Sequence, residues 1–129
     1  MSLTYTLVVT SPLYGKQGSA SALNFAKALI EAGHQIKTVF FYLDGVSNGL
    51  STSLPASDEV NIHQHWLDIK KASACSLLVC SAAAYRRGVI GEDEATANQL
   101  LANMDSQFEM SGLAEMATAM LTSDRVVHL

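Results

Sequence analysis

The chain has 129 residues, of which 49% are hydrophobic and 16% are charged, a balance that excludes intrinsic disorder and fits a single domain. Eight basic against twelve acidic side chains give a formal net charge of −4, which disfavours direct binding of nucleic acid. Two cysteines, no secretory pattern and no apolar run of ~18 residues favour a reduced, cytoplasmic protein without a membrane partner. The mean hydropathy of +0.20 predicts a subunit interface.

The first part of the chain alternates buried strands with amphipathic helices. Runs rich in β-branched and aromatic residues predict strands, and apolar residues recurring at three and four positions predict helices. The predicted elements are a strand at 5–10, a helix at 19–32 capped by Ser19, a strand at 36–42, a helix at 62–70 and a strand at 77–80. A long polar connection, 44–58, is typical of a functional loop or an interface. We expect residues 1–4 to lie outside this fold, as a disordered or leader segment.

The second part continues the alternation. It predicts a helix at 92–104, a short strand at 108–110, a helix at 113–121 and a strand at 125–129. Strands that alternate with helices in this way predict an α/β protein with a five-stranded, mostly parallel sheet covered by helices on both faces. In such folds, reactive groups gather at the carboxyl ends of the strands.

Cys80 is the residue that this architecture places best for chemistry. It closes an apolar strand and is followed by Ser81 and three alanines. A helix that starts there would present free amide N–H groups and its positive dipole end to the sulfur, and both stabilise a thiolate. We therefore expect an ionised thiol at the mouth of a crevice, within reach of other proteins. The alternative is a small apolar residue in a core strand, the commonest role of a free cysteine.

The other cysteine and the paired histidines give weaker evidence for a reactive or metal-binding site. Cys75 precedes the strand with no helix start or cation nearby, so we expect it to be structural. Five positions along one strand separate the two thiols by ~16 Å, whereas a disulfide needs Cα atoms within ~7 Å. His63 and His65 diverge on a helix and have no clustered partner ligands. The sequence thus predicts neither a metal nor an organic cofactor.

Two further groups of residues flank the expected site. Arg86 and Arg87 either steady a sulfur anion, complement a helix C-terminus that Gly88 ends, or face a partner protein. The loop 15–19 resembles a phosphate cradle but matches neither GxxxxGK[ST] nor GxGxxG. We expect that loop, with Tyr14 and Gly15, to shape the rim of a site shared with Cys80. The segment 111–113, with Gly112, would reach the same rim.

Several strings in the chain, taken in order, resemble the DsrE-like sulfur-relay family. They are Pro12-Leu13-Tyr14-Gly15, Val39-Phe40-Phe41-Tyr42, Gly45-Val46, Ser53-Leu54-Pro55-Ala56-Ser57-Asp58, Cys80 with Ala83-Ala84 and Arg86-Arg87-Gly88-Val89, Ser111-Gly112-Leu113 and Asp124-Arg125-Val126-Val127. The resemblance spans residues 6–129. It is greatest to the branch that serves 2-thiouridine formation in tRNA.

The resemblance implies a flavodoxin-like α/β fold and a sulfurtransferase activity that uses no cofactor. Cys80 matches the family's sulfur-carrying cysteine, which forms a persulfide, and Cys75 has no counterpart. The implied assembly is a cytoplasmic hetero-oligomer, a heterohexamer of three related subunit types. The implied partners are an upstream small sulfur carrier, fed by a cysteine desulfurase, and a downstream acceptor protein that serves the tRNA-modifying enzyme.

Three alternatives stay open at this point. Some relatives relay sulfur in dissimilatory sulfur oxidation. A flavodoxin-like module could instead bind a phosphate or a flavin through the loop 11–19, with Cys80 only packing. A third possibility is a subunit that serves assembly alone, against which the presence of Cys80 argues. In each case the apolar content and the long connection predict self-association when the chain is expressed alone.

Overall fold

The computed structural model describes residues 1–129. Strands and helices alternate along the chain, with one 3₁₀ helix after the second strand. The elements are β1 (Thr4–Val9), α1 (Gly18–Glu31), β2 (Gln35–Phe41), the 3₁₀ helix (Leu43–Gly49), α2 (Ile62–Ser73), β3 (Ser76–Cys80), α3 (Ser81–Arg86), α4 (Glu92–Asn98), β4 (Glu109–Ser111), α5 (Leu113–Thr122) and β5 (Arg125–His128). No helix is both long and apolar enough to cross a bilayer.

The five strands form one parallel sheet in the order β4-β3-β2-β1-β5, which confirms the predicted fold class. The chain moves outward from β1 to β4 and then returns to place β5 on the other side of β1. The change of direction therefore lies between β1 and β5, two strands away from β3. At the carboxyl end of β3, Cys80 pairs with Ser111 of β4.

The two faces of the sheet are covered unequally. One face packs against α1 and α2, where Phe41 meets Trp66 with ring centroids 5.1 Å apart. Successive side chains of a strand point to opposite faces, and Thr6, next to the fully buried Leu7, donates a hydrogen bond to the Ala119 carbonyl of α5 at 3.1 Å. No residue of α5 is fully buried. The face under α5 therefore has a thin cover.

Helix α4 is shorter than the predicted 92–104. It ends at Asn98 because Gln99 adopts a left-handed conformation with φ of 57°. The Asn103 side chain accepts a hydrogen bond from the Ile90 amide and donates one to the Gly88 carbonyl, at 2.8 and 2.7 Å. These tertiary hydrogen bonds hold the segment after α4 in an irregular path, and they override its helical periodicity.

Two smaller differences concern the start of the chain and the first helix. The Leu3 carbonyl accepts a hydrogen bond from the amide of the first residue of β2, and β1 begins at Thr4. The fold therefore includes residues 3 and 4, which we expected to lie outside it. Ser19 does not cap α1, because the N-cap is Gln17. The Ser19 hydroxyl instead donates to the backbone carbonyl of Ser11 at 2.9 Å.

Candidate functional site

Cys80 lies where the sequence places it, at the junction of a strand and a helix. It is the last residue of β3 and the N-cap of α3, with extended backbone angles of −62° and 115°. Ser81 is the first residue of α3, and its helix has only six residues. A helix this short carries a small dipole, so the unpartnered N–H groups of its first turn are the main electrostatic feature beside the thiol.

The thiol is covered rather than open. Cys80 is 4% exposed and belongs to the apolar cluster that also holds Val79, Ala83 and Ala84. The expected position at the mouth of a crevice is therefore wrong for this conformation of the isolated chain. Helix α3 and the 3₁₀ helix both lie near β3.

Cys75 lies at the opposite end of the same strand. It follows Ala74, which ends α2 in a left-handed conformation with φ of 57°. Cys75 is 2% exposed, and burial raises the pKa of its thiol. Both cysteines are free. Cys75 therefore behaves as a structural residue, held as a neutral thiol.

The 3₁₀ helix follows β2 and lies near β3 and α3. Gly45 lies so close to the end of β1 that a Cβ at this position would overlap the Val9 carbonyl oxygen. Only glycine permits that approach. Asp44 accepts a hydrogen bond from Arg87 Nε at 2.8 Å, across from the end of α3. The 3₁₀ helix is thus seated on β1 and joined by an ion pair to the helix that follows Cys80.

The other end of the 3₁₀ helix is anchored by Asn48, which is fully buried. Its side-chain oxygen accepts from Trp66 Nε1 at 3.0 Å, and its amide nitrogen lies 3.1 Å from the Ser19 hydroxyl and 2.9 Å from the Gly45 carbonyl oxygen. No buried side-chain nitrogen or oxygen atom lacks a partner. Asn48 therefore ties α1, α2 and the 3₁₀ helix together.

His63 extends this network toward β4. Its Nδ1 lies 2.7 Å from the Asn48 carbonyl oxygen, and its Nε2 lies 3.0 Å from Asp105 Oδ2. His63 therefore connects the 3₁₀ helix to the segment before β4. Burial acts to raise the pKa of Asp105, but the hydrogen bonds from the Gln107 amide and from His63 outweigh it and lower that pKa.

Tyr14 and Gly15, which the sequence predicts for the rim of the site, lie in the loop between β1 and α1. Tyr14 is exposed, and the hydrogen bond from its hydroxyl to Glu59 raises its pKa. Gly15 is exposed and uses its freedom to adopt φ of 94°. The loop is joined to the 3₁₀ helix by the Leu13 amide, which donates to the Ser47 hydroxyl at 2.8 Å.

The predicted basic and glycine residues separate into distinct positions. Arg87 Nη1 donates to the Ala83 carbonyl at 3.1 Å, so Arg87 complements the C-terminus of α3. Arg86 is exposed. Gly112 directly follows the strand partner of Cys80, and its amide donates to Glu115 Oε2 at 3.1 Å. The structure therefore places Gly112 one residue after the strand partner of Cys80, while Arg87 contacts α3 and the 3₁₀ helix.

The residues that hold this edge together have no sequence pattern that predicts this role. They are Asp44, Asn48, His63 and Asp105, whose partners lie far away along the chain. The one local signal in this region was the Asn48-Gly49 pair, which is typical of a turn. No group of three or more His, Cys, Asp or Glu side chains is arranged to hold a metal ion.

Comparisons with known proteins agree with this geometry. Residues 4–129 match the DsrE/DsrF-like family. The protein named Sulfurtransferase TusD homolog from Vibrio cholerae is 51% identical over 127 residues, covering 98% of this chain and 97% of that protein. Sulfurtransferase TusD from Proteus mirabilis is 51% identical over 129 residues, covering 99% of both.

A solved structure resembles the fold as well. The crystal structure of the ychN protein from E. coli aligns with a TM-score of 0.75 and 25% identity, over 100% of both chains. The parallel sheet and the sequence match therefore lead to the same conclusion. This chain belongs to the DsrE/DsrF-like family.

Proposed function

We propose that this chain is a sulfurtransferase subunit that accepts sulfane sulfur as a persulfide on Cys80. It passes that sulfur to a downstream carrier protein in the 2-thiolation of the tRNA wobble uridine. The observation that carries the proposal is the identity of 51% with relatives named sulfurtransferase TusD over nearly their full lengths. The position of Cys80 at the carboxyl end of a parallel strand supports it.

The chemistry is an exchange between a thiol and a persulfide. The Cys80 thiolate attacks the outer sulfur of a donor persulfide, so that a new S–S bond forms while the donor's S–S bond breaks. The donor leaves as a thiolate that takes up a proton, and Cys80 carries the persulfide. The acceptor's thiolate then attacks the outer sulfur and restores the Cys80 thiolate. Neither step has a net oxidant or reductant, so one cysteine in this chain suffices.

An exposed apolar surface of the chain supports its assembly with other subunits. Helix α5 carries Leu113, Met120 and Leu121 on its exposed side. A hollow of about 230 Å³ lies between this helix, the 3₁₀ helix and the edge strand β5. We assign this face to sister subunits of a cytoplasmic hetero-oligomer, built as a heterohexamer of three subunit types. The sulfur donor and the acceptor would be separate small proteins. Expressed alone, the chain would self-associate through the same face.

The alternatives have less support. In a phosphate or flavin module, the loop before α1 would offer its polar groups to a ligand, yet the Ser19 hydroxyl donates to Ser11 and Pro12 within the loop. A relay subunit of dissimilatory sulfur oxidation would use the same chemistry on Cys80. The names of the relatives favour the tRNA branch.

Mass spectrometry of the intact protein tests the proposal. After incubation with a persulfide-loaded donor protein, the wild type should gain one sulfur atom, and Cys80→Ser should gain none. Cys75→Ser is the matched control, because it removes the other thiol and should gain sulfur as the wild type does. Equal sulfur gain in Cys80→Ser and the wild type would refute the assignment of Cys80.

A further inference from the structure

We propose that the hydroxyl of Ser111 donates a hydrogen bond to the Cys80 sulfur, both in the free thiolate and in the persulfide. The proposal rests on the proposed function, because it concerns the residue that would carry the sulfur. Ser111 is the last residue of β4, the edge strand next to β3. It would supply the hydrogen-bond donor that an ionised sulfur requires.

Ser111 lies beside Cys80 in the register of the sheet. The two residues are direct partners in the parallel pairing of β3 with β4. Neighbouring strands lie about 4.8 Å apart, and paired residues project their side chains from the same face. The hydroxyl and the thiol are each attached directly to Cβ, so rotation about χ1 can bring the oxygen and the sulfur within hydrogen-bond distance.

Both side chains belong to the sheet face that α5 covers thinly. Leu78, two residues before Cys80, lines a hollow of about 450 Å³ between the sheet and α5. Side chains two positions apart on a strand share a face, so the Cys80 sulfur projects toward this side of the sheet. Ser111 is half-buried. Its hydroxyl therefore lies next to the sulfur, on the side of the open edge.

The other groups that could stabilise a sulfur anion are engaged elsewhere or lie in solvent. Cys80 is the N-cap of α3, but its side chain accepts no capping hydrogen bond from that helix. Arg87 donates to Asp44 and to a backbone carbonyl of α3. Arg86 is exposed. Neither the helix nor the arginines therefore provide the sulfur with a donor in this structure.

The Ser111 hydroxyl is free to take this role. It forms no hydrogen bond within the chain, whereas the next amide, that of Gly112, donates to Glu115 Oε2 at 3.1 Å. A serine hydroxyl carries one proton to donate, and hydrogen bonds to an ionised acceptor are roughly twice as strong as neutral ones. The strand register makes the Cys80 sulfur the acceptor within its reach.

The hydrogen bond would act in both steps of the exchange. In the first step it stabilises the Cys80 thiolate and raises the fraction of the nucleophile at neutral pH. In the second step the acceptor's thiolate attacks the outer sulfur and the S–S bond on Cys80 breaks. The Cys80 sulfur then leaves as a thiolate, and a stabilised leaving group departs faster. Ser111 keeps its proton throughout, so the hydroxyl takes part without being consumed.

Replacing Ser111 with alanine removes the hydroxyl and leaves every charge in place. Near Cys80, Asp44 and Arg87 pair with each other, and Glu115 is held at the Gly112 amide. The other titratable groups on the neighbouring elements are Tyr42, Tyr85, Arg86 and Glu109. Because these groups are the same in both proteins, a difference in the ionisation of Cys80 reports on the hydroxyl.

The ultraviolet absorbance of the thiolate measures this ionisation, and no reagent has to reach the buried sulfur. The measurement uses a Cys75→Ala background, and subtracting the spectrum of a Cys75→Ala, Cys80→Ala variant removes the tyrosine signal. Ser111→Ala should move the midpoint of the titration upward by about one pH unit, as expected for loss of a charge-assisted hydrogen bond. Ser111→Thr keeps a hydroxyl and should restore the original midpoint.

Ser76→Ala is the matched control. Ser76 lies on the same face of β3 as Cys80 but at the other end of the strand, about 13 Å away. Its exposed hydroxyl cannot reach the sulfur, so the midpoint should equal that of the background.

Alkylation of Cys80 by iodoacetamide, followed by peptide mapping, gives a second measurement. Ser111→Ala should react about threefold more slowly at neutral pH, because less thiolate is present. It should react no more slowly where both proteins are fully ionised, because a more basic thiolate is the stronger nucleophile. General loosening of the cover would instead change the rate by one factor at every pH.

Equal titration midpoints for Ser111→Ala and the background would overturn the proposal. A rate of alkylation changed by one factor at every pH would overturn it as well. Neither measurement uses a sulfur donor, so the hydrogen bond can fail while Cys80 still accepts sulfur. Conversely, sulfur gain in Cys80→Ser would overturn the proposed function without changing these titrations.

Discussion

The two ends of β3 each carry a buried cysteine, yet their surroundings differ. At the amino end, Cys75 lies just after α2, and burial raises the pKa of its thiol. At the carboxyl end, Cys80 is the N-cap of α3, and Arg87 at the other end of α3 forms an ion pair with Asp44 of the 3₁₀ helix. Burial does not distinguish the two, at 2% and 4% exposure. What separates the two thiols is their place in the fold, because Cys80 precedes the first turn of a helix with its free N–H groups, whereas Cys75 follows the end of one.

The largest expected effect concerns the buried anchor at the carboxyl end. Asn48→Ala leaves the buried Trp66 N–H group without its acceptor. We expect a loss of about 3 kcal/mol in the free energy of unfolding, because an unsatisfied buried polar group keeps its full desolvation cost. Urea denaturation measures it. Asn61→Ala, which removes the exposed N-cap of α2, is the control, with an expected loss of about 1 kcal/mol. Equal losses would show that the anchor has no special role.

A smaller effect is expected at Asp105, which fixes His63 at the same end. Asp105→Asn should lower the free energy of unfolding by about 1 to 2 kcal/mol near neutral pH, since it removes a charge-assisted hydrogen bond. Because the folded-state pKa of Asp105 lies below its unfolded value, the stabilisation is complete above the unfolded value. It is lost as the pH falls through the folded pKa. Urea denaturation at several pH values should show that the difference between wild type and variant disappears in acid. A difference that persists there would contradict this account.

The smallest expected change in stability is at the amino end of β3. Ala74 ends α2 with φ of 57°, where glycine avoids the steric cost of the Cβ. Ala74→Gly should therefore stabilise the protein by about 0.5 to 1 kcal/mol, measured as a rise in the melting temperature. Ala72→Gly, on the same helix two residues earlier, should destabilise it by a similar amount. A lower melting temperature for Ala74→Gly would show that this end of β3 is not strained.

The fold was largely predictable because its signals are local. The β-branched runs identify β1, β2 and β3, and the strand-to-helix junction at Cys80 follows from the small residues after it. The strand order and the early end of α4 were not predictable, since hydrogen bonds between distant residues decide them. The site shows the same division. The position of Cys80 at the end of a strand and of Gly112 after a strand could be predicted from sequence, whereas the 3₁₀ helix near β3 could not.

The 3₁₀ helix was not predicted from sequence for a physical reason. The connection 44–58 is polar and has no periodicity, so no local pattern predicts the 3₁₀ helix within it. Its position depends on Gly45 meeting the end of β1 and on Asn48 reaching Trp66. Both contacts join residues that only the folded sheet brings together. We expected the Cys80 thiol to be accessible, whereas Cys80 is buried in the structure.

The most direct test of the central claim is to locate the sulfur on the chain. Wild-type protein incubated with a persulfide-loaded donor, trapped with an alkylating reagent and digested, should yield the Cys80 peptide with one added sulfur atom and the Cys75 peptide without it. Added sulfur on the Cys75 peptide, or on neither peptide although the donor is competent, would contradict the account.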